Sequence, residues 1–276
     1  MAKIGFIGTG NMGQILIEAF LKAGALGTDD IFIYNRTHAK ARQLAARHPG
    51  IHIAPNNRTL VENSEIILIC VKPLEYGNVL DDIQDVVQPE HLVISITSPV
   101  LIRDIEERIP AKVAKVVPSI TNSVLCGAAL VMFGSRLTSD DRKTLFRLFR
   151  HISRPIEINE AHVRVSSDLA SCAPAFLCLL MQRFAESASD VAGIPRETAV
   201  SLVNEMILGV GKLLTEGGFS LESLQERVAV PGGVTRDGLN VLDQELGTVF
   251  QQLFHMTQHK HEKDLQHVQR MFYEHT

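Results

Sequence analysis

Three glycines near the start of the chain, Gly8, Gly10 and Gly13, stand in a Gly-x-Gly-x-x-Gly spacing. They follow the apolar run Ile4–Ile7 and open a helical pattern over Asn11–Lys22. This spacing suits an anion held by main chain rather than by side chains. Gly8 permits a tight turn, Gly10 lets the backbone approach a pyrophosphate, and Gly13 lets helix and strand pack closely. Free N–H groups and the helix dipole favour negative charge at that point. Strand, loop and helix in this order form the first half of a dinucleotide-binding βαβ unit.

Three further stretches carry chemistry. The run Ile31–Tyr34 ends in Asn35-Arg36-Thr37. A site for the unphosphorylated dinucleotide usually places an Asp or Glu there, for the ribose hydroxyls. A guanidinium between neutral polar groups suits a 2′-phosphate instead, which selects NADPH, with NADH as a second carrier. Thr37 serves that phosphate, caps the next helix, or does both. The segment Cys70-Val71-Lys72-Pro73 stops a strand at its proline, and Lys72 either approaches the cofactor or is solvated. In the third stretch, Val230-Pro-Gly-Gly-Val-Thr235, two glycines precede a helix. Exposed N–H groups there would make a nest for a small carboxylate, with the Thr235 hydroxyl beside it. The alternative is a plain turn between helices.

The elements that must position these residues change character along the chain. Up to about residue 160, apolar runs alternate with amphipathic stretches, as in a sheet with both faces covered. The runs are Ile4–Ile7, Ile31–Tyr34, Ile66–Val71, Leu92–Ile96 and Val113–Val117, with Ala128–Phe133 and Pro155–Ile158 as extensions. Ligands bind beyond the carboxyl ends of such strands, so Ser95–Pro99 and Val117–Ser119 are expected to border the nicotinamide pocket. After residue 160 only helical periods follow: Ala161–Val191, Pro195–Thr215, and one from Gly233 to near the end. Pro174 should kink or restart the first of them. The expected fold is therefore α/β. A Rossmann-type doubly wound, mostly parallel sheet occupies residues 1–160, and an all-helical domain for dimerisation and substrate occupies 161–276. The apolar surface of the helices exceeds what they can bury alone, which implies a second copy of the chain.

A formal net charge of −4 over 276 residues, with both signs mixed, argues against a nucleic-acid partner. With the first strand at the very start of the sequence, no charged-then-apolar leader is expected. The run Leu169–Met181 is shorter than the ~20 residues that span a bilayer, so a buried helix and no membrane partner are expected. Cys70, Cys126, Cys172 and Cys178 form no CxxC pair and read as reduced core thiols of a cytoplasmic protein. His255 and His259 share a helix face without a third ligand, so no metal is expected.

Taken together, Ile7-Gly-Thr-Gly-Asn-Met-Gly13, Asn35-Arg36-Thr37, Asn57, Val71-Lys72-Pro73, Pro174-Ala-Phe176 and Pro231-Gly-Gly-Val-Thr235 resemble the Δ1-pyrroline-5-carboxylate reductases along nearly the whole chain. Within that family, Ser95–Pro99 and Pro118–Asn122 resemble the ComER proteins of the late-competence locus of bacilli. The resemblance implies reduction of a cyclic imine acid to proline by NAD(P)H, in a dimer of interleaved helical domains. The active site would lie between the cofactor domain and helices of the dimer. Carried over by position, Ile7, Gly8, Thr9, Gly10, Asn11, Met12, Asn35, Arg36, Asn57, Cys70, Val71, Lys72 and Pro73 would contact the cofactor. Gly232, Gly233 and Val234 would hold the substrate carboxylate, and Thr235, the catalytic candidate, would bond the ring nitrogen.

This chain departs from that pattern mainly around the substrate. Val230 and Val234 replace customary hydroxyl residues, and Thr97-Ser98-Pro99 replaces Ala-Ala-Gly. Ala170–Ala173 stands for Ser-Gly-Ser-Gly, and Thr248 for an arginine. Imine reduction needs little acid–base machinery, because a protonated C=N already accepts hydride. A hydroxyacid dehydrogenase would need a base, and His162 is the one residue near the start of the first long helical period to weigh for it. Three readings stay open: the reductase, a dinucleotide-binding regulatory protein linked to competence or development, and a dehydrogenase for another amino or hydroxy acid.

Overall fold

The computed structural model describes residues 2–273. Eight strands form one sheet: β1 Ile4–Ile7, β2 Ile31–Tyr34, β3 His52–Ile53, β4 Ile66–Ile69, β5 Leu92–Ser95, β6 Lys112–Val117, β7 Ala128–Phe133 and β8 Arg154–Glu157. Their order is β3-β2-β1-β4-β5-β6-β7-β8, and every pairing is parallel except β6 with β7. The order reverses at β1, which pairs β2 on one side and β4 on the other in a common register. Strands β1, β4 and β5 are buried at every residue, which explains their unbroken apolar sequence: both faces of a parallel sheet are covered.

Helices α1 Asn11–Lys22, α2 His38–Arg47, α3 Asn57–Glu62, α4 Tyr76–Ile83, α5 Ile102–Glu106 and α6 Ser139–Arg150 follow the strands. Two buried clusters result, one centred on Phe6, Leu16, Phe20 and Phe149, the other on Ile67, Tyr76, Leu80 and Ile105. The mostly parallel Rossmann-type sheet is as expected. Strand β3 and helix α3 were not foreseen. A two-residue exposed edge strand carries no period, and α3 is only six residues long, started by the Asn56 side chain accepting the Thr59 N–H (2.8 Å).

Helices α7 Val163–Ser167, α8 Ala173–Ala192, α9 Arg196–Thr215, α10 Leu221–Val228, α11 Val234–Leu246 and α12 Val249–Tyr273 complete the chain. A π-helical turn, Asp168–Cys172, separates α7 from α8. It precedes Pro174, whose ring would clash with the carbonyl four residues back in a regular helix. The expected single helix from Gly233 onward is two helices. Gly247 interrupts it at φ +42°, ψ −118°, a conformation no helical residue holds.

Two compact units emerge: residues up to Pro174 together with those from Met256 onward, and Ala175–His255. In the second unit Ala185, Ala199 and Val203 form a small core with Met181, Ile194 and Ile207. The expectation of a buried helix over Leu169–Met181 is not met within one chain. Leu169, Leu177 and Leu179 are exposed, because these helices carry apolar residues on more faces than their neighbours in the chain cover. Two helical stretches, Glu160–Ala192 and Arg196–Thr215, are long and apolar enough to cross a membrane by length and composition. All four cysteines are free, but only Cys70 is a buried thiol; Cys126 and Cys178 are exposed, since they lie on a turn and on an uncovered helix face.

Candidate functional site

The glycine loop lies at the carboxyl end of β1, where the strand order reverses. The Gly8 N–H donates to the Tyr34 carbonyl and the Cys70 N–H to that of Ile7, both at 2.8 Å, so the loop is knitted between β2 and β4. Gly8 has φ +99°, and a Cβ there would lie 2.8 Å from the Cys70 oxygen. A Cβ at Gly13 would come within 2.3 Å of the Gly8 oxygen, so only glycine lets α1 start this close to the strand. At Gly10 a Cβ would meet nothing within 4 Å. Gly10 is also the N-cap of α1, and neither a capping side chain nor an acidic residue in the first turn satisfies the helix start. The turn thus presents open backbone donors, which is what a pyrophosphate needs.

A cleft of about 360 Å³ extends from this loop. Ile7, Gly8, Gly10, Asn35, Arg36, Thr37, Asn57, Cys70, Val71 and Lys72 line it. Thr9, Asn11, Met12 and Pro73 do not. Thr9 donates its N–H to Asn35 Oδ1 (3.0 Å), and Asn35 Nδ2 donates to the Thr37 carbonyl (3.1 Å). Asn35 therefore braces two loops against each other. Thr37 occupies the N-cap position of α2, yet its side chain makes no capping hydrogen bond.

Asn57 is buried, and its Nδ2 donates to Asp82 Oδ2 (2.9 Å). Its Oδ1, and the Oγ1 of Thr9, are buried acceptors without a partner among the described residues. Such atoms ask for a donor, and ribose or amide groups of a dinucleotide carry donors. Open loop donors, an empty space at Gly10 and the orphaned Asn57 Oδ1 fit a bound dinucleotide; Thr9 Oγ1 lies outside the cleft lining.

The cleft also holds residues that sequence reasoning missed: Tyr34, Lys40, Glu75, Asn78, Val79 and Asp82. Lys40 lies four residues after Arg36. Glu75, Asn78, Val79 and Asp82 recur at i, i+3, i+4 and i+7 along α4 and its N-cap, one helix face. That period was the available signal.

Beyond β5 and β6 the loops are held by buried polar contacts. Ser95 Oγ and Tyr76 Oη share a hydrogen bond (2.9 Å), and Tyr76 donates to the Ile69 carbonyl (2.8 Å). Lys115, fully buried on β6, donates to the Ser98 carbonyl (3.1 Å) and pairs with Glu160. Burial pulls the Lys115 ammonium below its ordinary pKa, and the Glu160 charge holds it up. Ser171 Oγ donates to the Pro118 carbonyl (2.9 Å). Burial pushes the Cys70 thiol far up, so it is a packing group and no nucleophile.

In the second unit, the Pro231–Thr235 loop leads into α11 with Gly232 at φ +73° and Gly233 as N-cap. The Gly233 N–H donates to the Val230 carbonyl (3.1 Å), so that donor belongs to the turn. Arg236 Nη2 donates to the Ala229 carbonyl (3.0 Å) and fixes the loop from its far side. Val234 is exposed, and Thr235 is half-buried.

The chain is 40% identical to ComE operon protein 4 of Bacillus subtilis (strain 168), over 98% of this chain and 99% of that protein. It is 30% identical to pyrroline-5-carboxylate reductase 3 of the same organism, over 95% and 96% of the two chains. The chain belongs to the pyrroline-5-carboxylate reductase family. Residues 160–264 match the family described as pyrroline-5-carboxylate reductase dimerisation. Residues 3–99 match the one described as NADP oxidoreductase, coenzyme F420-dependent. Among solved structures, a pyrroline-5-carboxylate reductase from Coxiella burnetii has the same fold (TM-score 0.83, 23% identity, 98% of each chain). So does the Plasmodium falciparum pyrroline carboxylate reductase with NADP bound (TM-score 0.80, 23% identity, 98% of each chain). For this member of the pyrroline-5-carboxylate reductase family, the departures at Val230, Val234 and Thr97–Pro99 fall outside the cleft lining.

Proposed function

We propose that this protein is a cytoplasmic NADPH-dependent reductase that converts 1-pyrroline-5-carboxylate to L-proline, with NADH as a weaker carrier. Full-length likeness to a pyrroline-5-carboxylate reductase, joined to a cleft of dinucleotide character, carries this reading. The loop at Gly8–Gly10 takes the pyrophosphate, and Arg36, beside Thr37, takes the 2′-phosphate. Asn57 and the Cys70–Lys72 segment hold the rest of the carrier; Thr9, Asn11, Met12 and Pro73 flank these contacts in the chain.

The bound carrier supplies hydride to the carbon of the protonated C=N bond. Gly232 and Val234 N–H groups hold the substrate carboxylate. The Thr235 hydroxyl accepts from the ring N–H and so orients the carbon that is reduced. Two copies of the chain cover each other's helices: Leu177, Leu179, Phe184, Leu202 and Leu208 are exposed in one chain, a surface suited to a homodimer. A single-chain mass in solution would remove the dimer.

The test is formation of proline from pyrroline-5-carboxylate with NADPH, quantified by mass spectrometry. Equimolar proline and NADP⁺ support the reading; no proline from protein that binds NADPH removes the activity. A second reading has its own support. ComE operon protein 4 is a full-length relative at 40% identity, and Val230 and Val234 bring apolar groups to the substrate loop. On that reading the protein binds the dinucleotide and regulates a partner in competence or development, and NADPH changes that association without turnover.

A further inference from the structure

Arg36, the residue placed to meet a 2′-phosphate, already has a counter-ion. Its Nη2 lies 3.0 Å from Glu75 Oε1. Glu75 comes from a different element, the short turn Pro73–Glu75 that leads into α4, and both side chains line the same cleft. The arginine side chain is 81% exposed and that of Glu75 34%, so the pair stands at the rim, open to a ligand.

The two members of this pair favour different ligands. A 2′-phosphate is drawn to the guanidinium and repelled by the carboxylate. A ribose with free 2′- and 3′-hydroxyls offers donors that a carboxylate accepts, the usual role of an acidic residue at this edge of a dinucleotide site. A chain built for NADPH alone would have no use for a carboxylate within hydrogen-bond distance of its phosphate-binding arginine. Lys40 and Lys72 line the cleft as well and keep it cationic enough for phosphate.

We propose that Glu75 sets the cofactor preference of this protein: it occupies Arg36 when the 2′-phosphate is absent, competes with that phosphate when it is present, and so narrows the discrimination between NADPH and NADH. This inference rests on the cofactor reading above and concerns the specificity of the same cleft.

The experiment is calorimetric titration of NADPH and of NADH, at fixed ionic strength, into the wild-type protein, Glu75→Gln and Glu75→Ala. Thermal melts of all three check folding. An exposed ion pair of this kind changes affinity by on the order of fivefold. The expected result is NADPH binding tightened by roughly that factor in both variants, with NADH binding unchanged or weakened. NADPH binding that is unchanged or weakened in folded variants overturns the role of Glu75 and leaves the cofactor reading standing. A wild-type protein that binds neither carrier overturns both.

Discussion

Lys115 and Glu160 form an ion pair inside the sheet unit, with Nζ 2.5 Å from Oε1 and no exposed surface on the lysine. The same carboxylate oxygen accepts the Ile102 N–H (3.1 Å), and the same ammonium donates to the Ser98 carbonyl. One contact thus ties β6, the loop after β5 and the start of α5 together. Lys115→Met would strand Glu160 without its partner and leave the Ser98 carbonyl unbonded. Loss of one member of such a pair costs about 3 kcal/mol. Urea unfolding should show this loss, and Lys115→Met with Glu160→Gln should recover part of it.

His261 on α12 is buried, and the group is harder to protonate in the folded chain than at its ordinary value of 6.5. Burial is the main cause, followed by the charges of Arg164 and Lys115; Asp264 and Asp168 oppose them. The unfolded chain therefore takes up the proton first as pH falls. We expect stability to be complete above about pH 6.5 and to decline as pH drops below it. His261→Gln should flatten that decline in denaturant melts between neutral and mildly acid pH. An identical slope in both proteins would assign the acid sensitivity to other groups.

Arg36→Ala should weaken NADPH far more than NADH. A well-formed guanidinium–phosphate contact contributes about 2 kcal/mol. Equal losses for the two carriers, measured by titration, would take the 2′-phosphate away from Arg36.

Thr235→Val removes the one hydroxyl that follows the Gly232-Gly233 turn. We expect turnover to fall by about tenfold to a thousandfold, as for loss of a single positioned hydrogen bond, with NADPH affinity unchanged. A change confined to NADPH binding would show that the loop belongs to the cofactor instead.

Much of the sheet was legible because its strands are buried on both faces. Ile31–Tyr34 and Ala128–Phe133 match their apolar runs residue for residue. The roles of Gly8 and Gly13 were legible too, since each follows from the space a Cβ would need. What stayed hidden lacked a local period or depended on a distant partner. Strand β3 is two residues long, and the break at Gly247 is a backbone conformation rather than a pattern. Asn35 lines the cleft, and it also braces Thr9 and Thr37, contacts its sequence neighbours do not announce. Glu75 was legible only through the helix face it shares with Asn78, Val79 and Asp82; its pairing with Arg36, 39 positions earlier in the loop after β2, was not. Lys115 sat in an apolar run with nothing nearby to announce Glu160.

The measurement that bears most directly on the cofactor cleft uses Gly10. Its backbone is extended at φ −72°, ψ −175°, open to any residue, and a Cβ there meets nothing in the protein. Gly10→Val should fold with an unchanged melting temperature and fill the space reserved for the pyrophosphate. Calorimetric titration with NADPH should give saturable binding at one site per chain in the wild type and none in the variant. Equal binding by both proteins would place the dinucleotide somewhere else and contradict the site.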